Sequence, residues 1–177
     1  MKKTIFCAIA LFCAIAVSAQ VTEEDMQASK QRSEKLAELT QPKDCGIAEL
    51  DKLTATSASL ATETLDVVPQ LQNLYSRALG ETGEDITQAE VRTALREELT
   101  AIGDRVTKQA AEVAAATLRI PDAGDALAKE KNPLKLKGAT KTMSYIKDVL
   151  NILKDESVFQ VKTVTELVKA TAAAIVE

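Results

Sequence analysis

The chain has 177 residues, a net charge of −4, 46% apolar side chains, and neither His nor Trp. The missing imidazole excludes histidine acid–base and metal chemistry, and the apolar content argues against wholesale disorder. With aromatic residues at 3%, stacking platforms for nucleic acid are lacking too.

Residues 1–19 read as a cleavable signal peptide. Lys2 and Lys3 form a positive n-region, Ile5 to Val17 is a nearly unbroken apolar run, and Val17-Ser18-Ala19 supplies the small side chains a signal peptidase accepts. A retained anchor is the rival reading, but the run is shorter than the ~20 residues a spanning helix needs. Cys7 follows Phe6 and Cys13 follows Phe12, where a lipoprotein signal wants a small residue before its cysteine. Cleavage before Gln20 leaves 20 Lys+Arg against 26 Asp+Glu, a net charge of −6. The expected destination is the periplasm or the exterior of a bacterial cell.

A first helix is expected from Thr22 to about Thr40, because Thr22-Glu23-Glu24-Asp25 offers a capping hydroxyl followed by acids near the positive helix end. Its apolar stripe (Met26, Ser29, Ser33, Leu36) is weak. Pro42 then marks a connection, and Asp44 is the expected cap of a second helix reaching Leu79.

That second helix carries a heptad seam of Ile47, Leu50, Thr54, Ser57, Ala61, Thr64, Val68, Leu71, Tyr75 and Ala78, widened by Leu53, Leu60, Val67 and Leu74. The small hydroxyl residues at its middle admit close helix approach and require acceptors one turn back. Pro69 is expected to kink or split the helix near Val68. A loop follows from Gly80 to Asp85.

Thr87-Gln88-Ala89-Glu90 reads as a capping box opening a third helix, with Val91, Leu95, Leu99, Ile102, Val106, Ala110, Val113 and Thr117 as its buried stripe. Gly103 is its weak point, and Pro121 is expected to end it after Ile120. Between Asp122 and Lys131 one or two helical turns at most are expected, and Asn132-Pro133 reads as a cap and first helical position. Met143, Ile146, Leu150 and Leu153 then share a face. Two readings stand for 139–177. Either Ser157-Val158-Phe159-Gln160 caps a separate last helix bearing Val161, Val164, Val168 and Ile175, or the heptad phase continues unbroken from Leu153 to Val164.

No segment alternates long enough for a sheet. The expected fold is therefore all-α: an elongated antiparallel bundle of four to five helices with coiled-coil-like packing, behind the signal peptide. Residues 20–177 form one helical-bundle domain in this reading, with an internal break placed near 121–138.

The chemistry is sparse. No Gly-rich phosphate loop, nucleophile elbow or cysteine pair is present, so the expectation is a protein that is not an enzyme, with no cofactor and no metal. Glu97-Glu98 read as solvated helix acids, and Glu81, Glu84 and Asp85 as a solvated turn that lacks the ligand spacing of an EF-hand. After cleavage Cys45 is the only cysteine, which forbids an internal disulfide and leaves three fates: burial, reaction, or an intermolecular disulfide. At the expected helix start its thiol pKa would be lowered.

Charge is asymmetric. From Gln20 to Asp51 there are eight acids and four bases, whereas Lys129, Lys131, Lys135, Lys137 and Lys141 are accompanied by Glu130 alone. This basic segment is a candidate contact surface for an acidic partner or an anionic membrane. Its bland reading is solvated lysines paired with the acidic first helix of the same molecule. The functional expectation is an exported binding, scaffold or chaperone-like component acting through helix faces, with a protein partner or self-association. The alternative is a lipid- or membrane-active amphipathic helical protein. Nucleic acid is excluded as a partner by net charge and export.

Overall fold

A computed structural model of the chain describes residues 21–173, the side chain of Ala173 excepted. The signal-peptide reading and Ile175 lie outside these residues. The described chain is all-helical, with α1 (Glu23–Glu38), α2 (Ala48–Ala78), α3 (Ala89–Thr117), α4 (Ile120–Lys129) and α5 (Pro133–Ala173). Four of these, α1, α2, α3 and α5, pack together, and the short α4 lies against α2 and α5.

Local signals explain several boundaries. Thr22 caps α1 in a reciprocal box: its Oγ1 accepts from Asp25 N at 3.1 Å, and Asp25 Oδ2 accepts from Thr22 N at 3.0 Å. These bonds, the backbone one first, hold the Asp25 carboxyl below its ordinary range. Asn132 Oδ1 accepts from Leu134 N and opens α5 beside Pro133. α5 then runs unbroken to Ala173, so over the described residues the reading with one continuous helix holds and no break falls at Ser157. Ser157 is buried inside it and caps nothing.

Other expectations need correction. Asp44 does not cap α2. Gly46 adopts a φ of 77°, which no helical residue has, so the helix starts after Ile47. The turned backbone aims the Cys45 and Gly46 amides at Asp51, one turn inside the helix, at 2.8 and 3.0 Å. Thr87 does not form the expected capping box of α3. Its amide and hydroxyl both donate to Asp85 Oδ1, at 3.1 and 2.6 Å, so Asp85 organises a turn; Gln88, left at the cap position, gives the helix no side-chain capping bond and donates its Nε2 to Asp85 Oδ2 at 3.1 Å. Pro69 does not split α2, which runs through it from Ala48 to Ala78 with the proline ring on the exposed side. Pro121 does not end α3 either. The helix stops at Thr117, and the proline occupies the first turn of α4, a ten-residue helix of nearly three turns where two at most were expected.

The seam of α2 is buried as its periodicity requires: every residue of both rows is buried except Tyr75, which is half-buried. Thr54, Ser57 and Thr64 donate to Leu50 O, Leu53 O and Leu60 O, one turn back. Between α2 and α3, Leu60 meets Gln109, Asp66 meets Arg105 and Arg77 meets Glu98, so the two helices run in opposite directions. Gly103 has a packing reason, since a Cβ there would lie 3.0 Å from Val164 Cγ1 of α5.

The core is divided in two. One cluster gathers Leu36, Leu50, Leu53, Leu60, Val113, Ile146, Val149, Leu150 and Leu153. The other gathers Val67, Leu71, Leu74, Leu95, Leu99, Ile102, Val106, Val164 and Leu167. Between them in chain order on α2, α3 and α5 stand buried polar residues, Thr64, Gln109, and Glu156, Gln160 and Thr163, and α1 adds the buried Ser29.

Candidate functional site

The polar layer has two parts. On the α1 side the Glu156 side chain, 1% exposed, accepts from Ser29 Oγ at 2.6 Å, Arg32 Nε at 2.7 Å and Gln160 Nε2 at 3.1 Å. Arg32 also lies over the Phe159 ring, 5.3 Å from its centroid. On the α3 side Gln109 Nε2 donates to Leu60 O at 3.0 Å and Thr64 Oγ1 at 2.6 Å, while its Oε1 has no protein partner. Apart from the Gln160–Glu156 bond, which lies within α5, these bonds join one helix to another, so the layer specifies which helix faces meet. Helical periodicity placed Ser29 and Thr64 inward, but it gave no sign of Gln109 or Glu156. Both read as ordinary surface residues until neighbouring helices cover them.

The outer surface between α3 and α5 forms a groove of about 670 Å³ lined by Ala110, Val113, Ala114, Val158 and Val161, with Lys154 and Lys162 at its edge. Two of the three exposed large apolar residues in the described chain border it, Leu118 at 80% and Val158 at 67% exposure. A second stretch of about 300 Å³ continues from Val161 past Thr107, Thr165 and Val168 to Lys169. The groove lies where α3 packs one face on α2 and α5 and leaves Ala114 exposed and Ala110 half-buried on the outer side. Its volume falls within the ~300–1,000 Å³ typical of ligand sites, and its walls are apolar with charge confined to the rim.

Comparison with protein-family models, curated proteins and solved structures finds no match. Function therefore rests on the residues themselves.

The basic segment is dispersed rather than gathered into one patch. Lys129 ends α4, Lys131 lies in the connection, and all five lysines are exposed. Lys135 is drawn to the start of α2, where its Nζ donates to Gly46 O at 3.2 Å and stands 3.9 Å from Glu130 Oε2. Lys137 and Lys141 share a helix face with Leu134, the third exposed apolar residue, at 86%. None of the five pairs with α1, which corrects the expectation of intramolecular neutralisation; the ion pair joining α1 to α5 is Arg32–Glu156. Glu130 instead shapes the connection by accepting from Asn132 N and Lys131 N, and these bonds lower its pKa, the Asn132 bond most.

Cys45 lies before α2, not at its first turn, half-buried, with its Sγ donating to Asp51 Oδ1 at 3.2 Å. Burial first, and then the bond and negative charge of Asp51, push the thiol pKa up, opposite to the lowering expected at a helix N-terminus. The acidic turn is structural as well: Arg77 bridges Glu84 at 2.9 Å and Glu98 at 2.7 Å, and Asp85 is held in its anionic form chiefly by Thr87. Among the described residues no three metal-ligating side chains converge, and no helix is long and apolar enough to cross a membrane.

Proposed function

We propose that this chain is an exported, non-enzymatic helical-bundle protein that works through its helix faces, as a binding, scaffold or chaperone-like component in the periplasm or outside a bacterial cell. In this reading residues 1–19 are removed on export, and the rest is one elongated antiparallel bundle with coiled-coil-like packing. The observation that carries it is the apolar groove between α3 and α5, bordered by Leu118 and Val158. An apolar surface of this kind is costly to leave in water and marks a contact site. The buried polar groups fit the same view, because they join helices to one another.

The test is titration of the exported protein with an anilinonaphthalene dye under native conditions. Saturable enhancement that Val158→Lys removes, with an unchanged melting curve, is expected. No enhancement, or enhancement equal in both proteins, overturns the reading.

A second reading is favoured by one observation: Leu134 projects into solvent on the same helix face as Lys137 and Lys141. A single apolar anchor among cations is suited to an anionic bilayer surface. Flotation with phosphatidylglycerol vesicles, lost in Leu134→Asp and in Lys137→Glu/Lys141→Glu, supports it; flotation unaffected by these changes removes it.

A further inference from the structure

The lysines bordering the α3/α5 groove are Lys154, Lys162 and Lys169, eight and seven residues apart on α5. At 1.5 Å per residue they stand about 12 and 10 Å apart along the helix axis. Lys154 and Lys162 form no ion pair among the described residues, and Lys169 bonds only Glu166 on its own helix, at 3.0 Å. Along the floor, the two stretches joined at Val161 extend from Leu118 to Leu99 on α3, about 28 Å of helix; the second is lined by Thr100, Thr107 and the Asp104 carboxylate on the α3 wall, across from the lysines.

From this geometry we infer that the groove seats an amphipathic helix of another protein, whose apolar stripe covers Ala114, Val158 and Val161 and whose flank carries acidic residues seven or eight apart. The inference rests on the binding reading above and names its partner. Two parallel walls with small residues between them admit a further helix at close range, as in helix-in-groove recognition. Lysines repeating at seven and eight residues on one edge meet acids of the same spacing, as flanking charges do in a coiled coil. A single-chain anionic amphiphile fits less well, because one carboxylate meets one lysine and the open groove leaves an acyl chain in water. A second copy laid groove to groove brings both lysine rows into one interface, against like-charge repulsion.

The probes are two synthetic helical peptides of about three heptads with the same Leu/Ala stripe, one flanked by Glu at the seven- and eight-residue positions and the other by Lys. Both are titrated by fluorescence anisotropy into the exported protein at low and physiological salt. The Glu peptide is expected to bind at least about tenfold more tightly than the Lys peptide, and Lys154→Glu/Lys162→Glu is expected to reverse the order. Val158→Asp is expected to abolish binding of both. These side chains are exposed, and a thermal melt of each variant establishes that it is folded. Equal binding of the two peptides, an order unchanged by charge reversal, or displacement of the dye by oleate where neither peptide binds overturns the inference. Dye binding without peptide binding overturns it while the general binding reading survives; absence of both overturns both.

Discussion

Arg32 and Glu156 stand 124 residues apart in the chain and 2.7 Å apart in the fold. This ion pair, together with the Ser29 bond, docks α1 on α5, because α1 contributes little apolar area beyond Leu36. Breaking one side leaves a buried carboxylate short of its partner. Arg32→Ala is expected to cost about 2–3 kcal/mol, below the usual 3–5 for a fully buried pair because the arginine is partly exposed. Arg32→Met with Glu156→Leu replaces both charges by apolar volume and is expected to return to within about 1 kcal/mol of the parent, or to exceed it. Denaturant unfolding of the single and double variants checks this; equal losses in both would mean that the charges themselves stabilise the fold.

Gln109 is the member of the polar layer with an unpaired atom. Its Oε1 is buried without a protein partner, while the groups its Nε2 serves keep another bond, Thr64 Oγ1 donating to Leu60 O at 2.9 Å. Gln109→Leu is therefore expected to change stability by less than about 1 kcal/mol, whereas Gln109→Glu, burying an unpaired charge, is expected to lose several kcal/mol at neutral pH. Thermal melts at neutral pH decide; a large loss in Gln109→Leu would show that its two donated bonds outweigh the unpaired oxygen.

Gly103 trades helix propensity for contact. Alanine gains about 1 kcal/mol in an exposed helix, but here its methyl meets Val164 Cγ1 at 3.0 Å, and Val164 is buried. Overpacking of this kind costs about 1–3 kcal/mol. Gly103→Ala is expected to destabilise, and Val164→Ala to be less harmful in that background than alone. A double-mutant cycle with no coupling between the two sites would refute the close contact.

Cys45 provides a pH-dependent readout. Its thiol pKa is raised above the ordinary 9.0, so the neutral form is favoured by folding. The associated stability is fully present below that ordinary value and is lost as pH rises through the raised one. Reaction with dithionitrobenzoate at pH near 8 is expected to be slower than for free cysteine, and Asp51→Asn, which removes the negative charge beside Sγ, to speed it. A rate equal to free cysteine would contradict the half-buried, Asp51-bonded placement. Rapid disulfide dimerisation on a nonreducing gel would do the same.

Much of the fold was legible in single segments, wherever one residue's neighbours in sequence fix its state. The capping box at Thr22, the Asn132-Pro133 start and the two-row seam of α2 are of this kind. Periodicity also showed that Thr54, Ser57 and Thr64 face inward, and their back-bonds to the preceding turn are local by geometry. Where two local signals compete, the sequence does not say which prevails: Asp85 takes the hydroxyl that Thr87 was expected to offer α3, and Asp51, in place of the expected cap Asp44, accepts from the amides ahead of α2.

Tertiary structure decided the rest. Glu156 and Gln109 are hydrophilic residues on helices with ample solvated surface, and they are buried only because α1 and α2 lie over them. The groove between α3 and α5 is likewise invisible along either helix, since Ala114, Val158 and Lys162 acquire a shared surface only once two distant stretches pack. Composition and periodicity determine that this chain is a helical bundle without imidazole chemistry; the interhelical packing determines which polar groups are covered and which apolar face is left open.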